Sequence, residues 1–401
     1  MMGVIVAVAA PAIFAMAGFA VDYTAATRAR SRLQNAADTG ALAGAASLRL
    51  ANKTSTSAAS VAESQARTSA MPLSNVSATA TVTTGDVLVE VGADVPTTVM
   101  KMFGSANVRV AARARAKVIG NTPTCVLVLD PSGKDAFDID SASMTANGCG
   151  VYSNSTAADS MSLDKGAKLM AAIACSSGGA VSKGGASFQP EAQTDCPARI
   201  DPLLDRAAPV VGGCTNSALK LIIATILTPG VYCGGLEVKD NVAVTFLPGT
   251  YIIKDGPLKL NGNAIMTGNG VSFYLTGDAT LDINGQAAMD LSAPAFGPMA
   301  GMLFFEDRSA KLGNKHKLNS RSAPNLLGTV YLSRGTLEVG AKGGYATTTA
   351  GLAQNSAWTV IVARQLSVND KISVVMNTNY SATVVPPPPG VGPDGQIRLV
   401  Q

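Results

Sequence analysis

The chain has 401 residues, 47% hydrophobic and only 14% charged, with 40 glycines among many Ala, Ser and Thr. That length holds two or three domains, and so few charges exclude a disordered chain. The balance of 31 basic and 27 acidic residues, net +4, excludes the charge pattern of a nucleic-acid binder. With one Trp and 10 Phe, the core is expected to be built of small side chains, which suits thin, regularly stacked β structure.

Residues Gly3 to Val21 read GVIVAVAAPAIFAMAGFAV, about 19 residues, enough to match the hydrocarbon thickness of a bilayer. Pro11 and Gly18 are interruptions that membrane helices tolerate. The basic n-region of a cleaved signal peptide is absent. Strong helix formers continue through TAATRARSRLQNAADTGALAGAASLRL. We therefore expect one retained transmembrane helix that extends into the next compartment, with Leu33, Ala36, Ala37, Leu42 and Ala45 as an apolar stripe. The arginines Arg28, Arg30 and Arg32 would by themselves place that side in the cytoplasm. The cysteines argue for the opposite side.

Residues 51–75 are polar and small; 55–70 extend the helical pattern and Pro72 stops it. Val76–Thr83 and Val87–Val95 alternate around Thr84-Gly85-Asp86, which predicts a β-hairpin. Pro96 opens a short amphipathic segment, and Asn107–Ile119 alternates strictly as a third strand, with Arg109, Arg113, Arg115 and Lys117 on one face. A long helix on a small antiparallel sheet is a pilin-like plan.

From residue 121 short apolar strands recur between Gly, Asn and Asp turns. Leu236, Leu258 and Leu281 open successive units 22 and 23 residues apart, and a period near 20 marks a repeat architecture. The expectation for 121–385 is a right-handed parallel β-helix, with a β-sandwich as the competing architecture. Cys125, Cys149, Cys175, Cys196, Cys214 and Cys233 all fall in this region without a CxxC pair. An even count without zinc spacing reads as disulfides formed in an oxidising compartment. Sequential pairing (125–149, 175–196, 214–233) is the expectation among 15 connectivities. Pro386–Pro389 opens a stiff tail over 386–401. The domains are thus 1–50, 51–120, 121–385 and 386–401.

Catalysis finds little support. His316 is the only histidine and lies in the polar loop pattern GNKHKLNSRS, which reads as solvated surface. Asp130, Asp138 and Asp140 lack the Gly and Glu of a calcium loop. A polysaccharide-cleaving site would need paired carboxylates from Asp278, Asp282, Asp290, Glu306 and Asp307 with Arg308. Adjacent strand residues face opposite sides, so only Glu306 and Arg308 share a face, as an ion pair would. We expect no enzyme, no cofactor and no metal.

The run AGFAVDY…ARSRLQNAADTGALAGA resembles the N-terminal signature of TadG-like proteins of the tight-adherence (Flp) pilus machinery. Asp22 stands where that family's membrane helix ends, followed by Leu33, Gln34, Asn35, Ala36, Ala37, Asp38 and then Ala41 to Ala45. Leu227–Gly235 and Leu291-Ser-Ala-Pro also resemble longer members. The chain departs from the family in lacking the basic stretch before the helix and the pilin-type cleavage site. The resemblance implies a structural envelope protein of tight-adherence pilus assembly, with Asp22, Leu33, Gln34, Asn35, Ala37, Asp38 and Gly44 as assembly residues. Its partners would be the membrane and other pilus-assembly or pilin-like subunits. It would sit at the bacterial inner membrane with a periplasmic or extracellular domain. The alternatives are an adhesin binding a surface glycan and, third, a polysaccharide lyase or hydrolase.

Overall fold

The computed structural model describes residues 2–47, 55–83, 86–119, 122–319, 322–340, 351–392 and 396–400, with the backbone alone for 2–17, 117–119, 396–398 and 400. The chain forms two compact units, residues 1–121 with 395–401 and residues 122–394.

In the first unit, helix α1 (Met2–Ser47) and helix α2 (Ser55–Ala70) cover an antiparallel sheet of β1 (Ser74–Thr83), β2 (Asp86–Pro96), β3 (Asn107–Ile119) and the strand Gln396–Val400. The strands form where the sequence alternates; turn residues 84 and 85 lie outside the described residues. Val87, Val89, Val91 and Ala93 turn inward on β2, while Arg109, Arg113 and Arg115 of β3 face solvent. Arg115 and Arg109 pair across strands with Asp86 and Asp94 on that outer face. Helix α2 buries Ala58, Ala62, Ala66 and Ala70, four residues apart and so on one face.

The expected transmembrane helix is corrected here: among the described residues, no helix is long and apolar enough to cross a membrane. Most of the apolar run Gly3–Val21 falls on residues 2–17, whose side chains lie outside the described residues. The described part of α1 is two-faced. It buries Ala29, Leu33, Ala36, Ala37, Ala41 and Ala45 and exposes Arg28, Arg32, Asn35 and Thr39, the pattern of a helix packed on a core rather than one bathed in lipid.

The second unit is all parallel strands around one continuous apolar core. The repeat unit read from the sequence is real at the level of pairing: Leu236 lies in register with Leu258, and Leu258 with Leu281. Tyr251, Phe273 and Phe304 also follow in register, with ring centroids 5.5 and 5.4 Å apart. On the outer face a row alternates in charge along the ladder, Lys220, Glu237, Lys259, Asp282, Lys317 and Glu338.

The expected right-handed β-helix winding along the chain is not what forms. The strands do not follow one another in chain order. Thr359–Val368, near the end of the unit, pairs with Thr124–Val128 and Phe137–Asp140 at its beginning. From there pairing proceeds to Ser143–Ser153, Lys168–Ser176 and Ser187–Gln189. Residues 190–215 then carry the chain to Asn216–Leu221, whose register partner is Gly230–Val238. Both ends of the unit's chain therefore enter in mid-ladder. The physical reason is that every repeat offers the same backbone edge and the same aliphatic columns, so chain order does not dictate stacking order.

The crossing segment is held by specific bonds. The Asn154 side chain exchanges two hydrogen bonds with the Arg199 backbone, 2.7 and 2.8 Å, and the Arg199 guanidinium lies 3.5 Å from the Tyr152 ring centroid. The Tyr331 hydroxyl donates to Asp201 at 2.7 Å, and Arg308 donates to the carbonyls of Leu203 and Arg206. Disulfides join Cys125 to Cys149, Cys175 to Cys196 and Cys214 to Cys233. The last two fasten the segment's two ends.

Candidate functional site

Helix α1 carries the residues singled out in the sequence, and the structure divides them. Leu33, Ala37 and Gly44 are in the core. A Cβ added to Gly44 would lie 2.8 Å from the Ala62 Cβ, and one on Gly40 2.8 Å from the Ala62 carbonyl oxygen. The small residues therefore bring α1 against α2 within one chain. Gln34 reaches sideways, its amide donating to Asp38 at 2.9 Å and to the Arg113 carbonyl at 3.1 Å. Asn35 is exposed. It shares the outward stripe with Thr39, Leu42 and Ala46, all exposed and spaced for one helix face.

Asp22 does something the sequence did not announce. Its carboxylate accepts three successive backbone amides, Thr98 at 2.7 Å, Val99 at 2.9 Å and Met100 at 2.8 Å. These precede and open the 3-10 turn Met100–Phe103. Orphan amides at a helix start are natural partners for a carboxylate. The amides, Met100's foremost, hold the Asp22 carboxyl below the usual carboxylate range. The side chain is buried at 5% exposure.

In the second unit the candidate catalytic groups are scattered. His316 is not solvated surface but fully buried, as is Glu306. Its Nδ1 accepts the Leu281 amide at 3.2 Å, so the proton sits on Nε2, 3.0 Å from Glu306 Oε1. The other Glu306 oxygen accepts the amides of Arg334 and Gly335 at 2.8 and 2.9 Å. His316 pairs in register with Leu337 and so occupies a leucine column. The flanking Lys315 and Lys317 carried the missed signal, since strict alternation turns the residue between them inward.

Arg308 does not pair with Glu306; its donors go to the Leu203 and Arg206 carbonyls. Asp307 accepts from Thr276 and Ser309. Asp130 is buried and bound by Arg364, Gln365 and the amides of Ser132 and Gly133. Asp138 is raised to about 6 by burial, against a hydrogen bond from Ser367. Asp140 pairs with Lys165. Among the described residues, no group of three or more His, Cys, Asp or Glu could hold a metal ion.

An open groove of about 720 Å³ lies on the parallel unit, lined by Thr245, Thr267, Asp290, Asn325 and Asn355 with Ser292 beside them. Thr245, Thr267, Asp290 and Asn325 follow one another in register, so polar groups repeat at the strand spacing of about 4.8 Å.

No curated protein and no solved structure matches the chain. Residues 1–47 match the model of the putative Flp pilus-assembly TadE/G-like family, which is α1 in its entirety. The chain thus carries a TadE/G-like segment at its N-terminus, as the signature around Asp22 and Leu33–Ala45 indicated.

Proposed function

We propose that this chain is a structural, non-catalytic component of tight-adherence pilus assembly, attached at the bacterial inner membrane with its disulfide-bonded unit in the periplasm or outside. The observation that carries this reading is the family match over α1. It is supported by three disulfides, which persist in oxidising compartments, and by a sole histidine bonded to a buried carboxylate.

Assembly contacts in this reading come from the outward stripe of α1, Asn35, Thr39, Leu42 and Ala46, because Leu33, Ala37 and Gly44 are occupied inside the unit. The test is complementation of a strain lacking the gene. Asn35→Leu with Leu42→Glu should abolish pilus assembly while the chain persists at normal abundance on an immunoblot. Normal piliation by that variant overturns the reading.

A second reading, a glycan-binding adhesin, is favoured by the groove, where a row of Thr, Asp and Asn side chains runs beside apolar residues such as Phe246, Leu247 and Leu291. Spaced hydroxyl, amide and carboxylate groups suit hydrogen bonding along an extended sugar chain. A glycan array probed with the full chain and with Asp290→Ala would decide it: binding that the substitution removes supports it.

A further inference from the structure

We propose that the turn Met100–Phe103, clamped to α1 by Asp22, is a contact for the bilayer interface. This rests on the envelope association drawn from the family match. It requires no membrane-spanning helix.

The turn is built to present apolar side chains to something other than water. Met102 is 84% exposed and Phe103 75%. Neither contributes to the core of its unit, and exposed apolar side chains grouped in this way mark an interaction surface. They are held in place by the fold. The Asp22 carboxylate takes the three amides at the start of the turn, and Val99 packs against α1 so closely that a Cβ on Gly18 would lie 2.2 Å from its Cγ2. Gly18 and Asp22, four residues apart, form the face on which the turn sits. Phe19 and Tyr23, also four apart, lie on the adjacent face and are 54% and 71% exposed, and Val21 is 58% exposed. The exposed aromatic and apolar groups of helix and turn thus surround one clamp.

Charge decides which occupant this collar fits. Lys101 lies within the turn, and Arg28, Arg30 and Arg32 follow on the next turns of α1, all exposed. The only acid between Met2 and Arg32 is Asp22, whose charge is turned inward onto amides. Apolar and aromatic tips flanked by cations match an anionic bilayer surface, where rings and methionine enter the headgroup boundary and Lys and Arg meet lipid phosphates. The collar also lies where the apolar run Gly3–Val21 ends, so the run and the collar can share one interface. The clamp would then fix the depth and tilt at which α1 meets the bilayer.

The test uses the full chain with phosphatidylethanolamine–phosphatidylglycerol vesicles. In Phe103→Trp the only other tryptophan is Trp358, fully buried, which serves as a constant background. Brominated acyl chains should quench the fluorescence at position 103. Met102→Ser with Phe103→Ser should weaken vesicle binding about tenfold, and phosphatidylcholine vesicles should bind more weakly than anionic ones. Vesicle binding without quenching at position 103 overturns the turn's role and leaves envelope association standing. Failure of the unsubstituted chain to bind vesicles overturns both. Binding unchanged by the double substitution also overturns the proposal, and would leave the collar to a protein partner.

Discussion

His316 donates its Nε2 proton to Glu306 inside a largely apolar core, 3.0 Å away with both side chains fully buried. Each stands in a column of hydrophobic residues: His316 beside Leu337, and Glu306 beside Leu275. Column logic alone would make His316→Leu stabilising, since it completes a leucine row. The pair predicts the reverse. Removing the imidazole leaves a buried carboxylate oxygen without its donor, and an unsatisfied buried acceptor of this kind costs about 1–3 kcal/mol. Thermal or denaturant unfolding of His316→Leu should show a loss of that order; a gain in stability would refute the pairing as a determinant of the core.

Gly44 and Ala62 make the corresponding prediction for the first unit. A leucine at position 44 cannot fit beside Ala62, Val87 and the Ala58 carbonyl, all within 3.2 Å of where its Cβ would be. Overpacking of this kind costs about 1–3 kcal/mol or more. Gly44→Leu should therefore loosen α1 from α2 while residues 122–394 stay folded around their own core. Amide hydrogen exchange would show lost protection in 29–119 and unchanged protection in the parallel strands. A uniform loss over the whole chain would contradict separate cores.

Asp138 predicts how stability depends on pH. Burial raises its carboxyl to about 6, and the carboxylates of Asp135, Asp140 and Asp164 add to the rise. A folded-state value above the unfolded one means that the native state holds the proton more tightly. This contribution to stability is full below about pH 4 and is lost as pH rises through 6. The side chain is only half-buried, so solvent screening reduces the effect to on the order of 1–2 kcal/mol. Asp138→Asn should flatten the decline in Tm between about pH 4 and 6 and raise Tm at pH 8. An unchanged pH profile would show that Asp138 is not responsible.

Much of the local structure was legible, and the residues show why. Strict alternation in Val87–Val95 and Asn107–Ile119 fixed which side chains turn inward, because a strand has a period of two. The spacing of Leu236, Leu258 and Leu281 gave the pairing partners. It could not give the order of the tiers, because Ile361 meets Val126 through the same aliphatic contact that would join any two tiers. The apolar run was read as a membrane span from hydropathy. The alanines and glycines that follow it are equally apolar, and only the partners Ala58, Ala62 and Ala66 reveal that they belong to an internal core. The Asp22 clamp was invisible because its partners are backbone amides 76 to 78 residues away, which carry no side-chain signature.

Lys259 stands between Glu237 and Asp282 on the outer row of the parallel unit, with its ammonium 3.9 Å from Asp282. Alternating charge at in-register positions favours correct stacking, since opposite charges across strands attract and like charges repel, each by roughly 0.2–1 kcal/mol. The arrangement also opposes a slip of one tier by a single residue, which would turn the row inward. Lys259→Glu places three consecutive acids on the row. It should lower stability by about 1–2 kcal/mol, about four times a pair value of a few tenths, because attraction is replaced by repulsion on both sides. The loss should shrink in 1 M salt, where the screening length falls to about 3 Å. Lys259→Gln should cost about half as much. If Lys259→Glu and Lys259→Gln unfold at the same temperature in low salt, the row contributes no electrostatic preference and its alternation plays no part in setting the register.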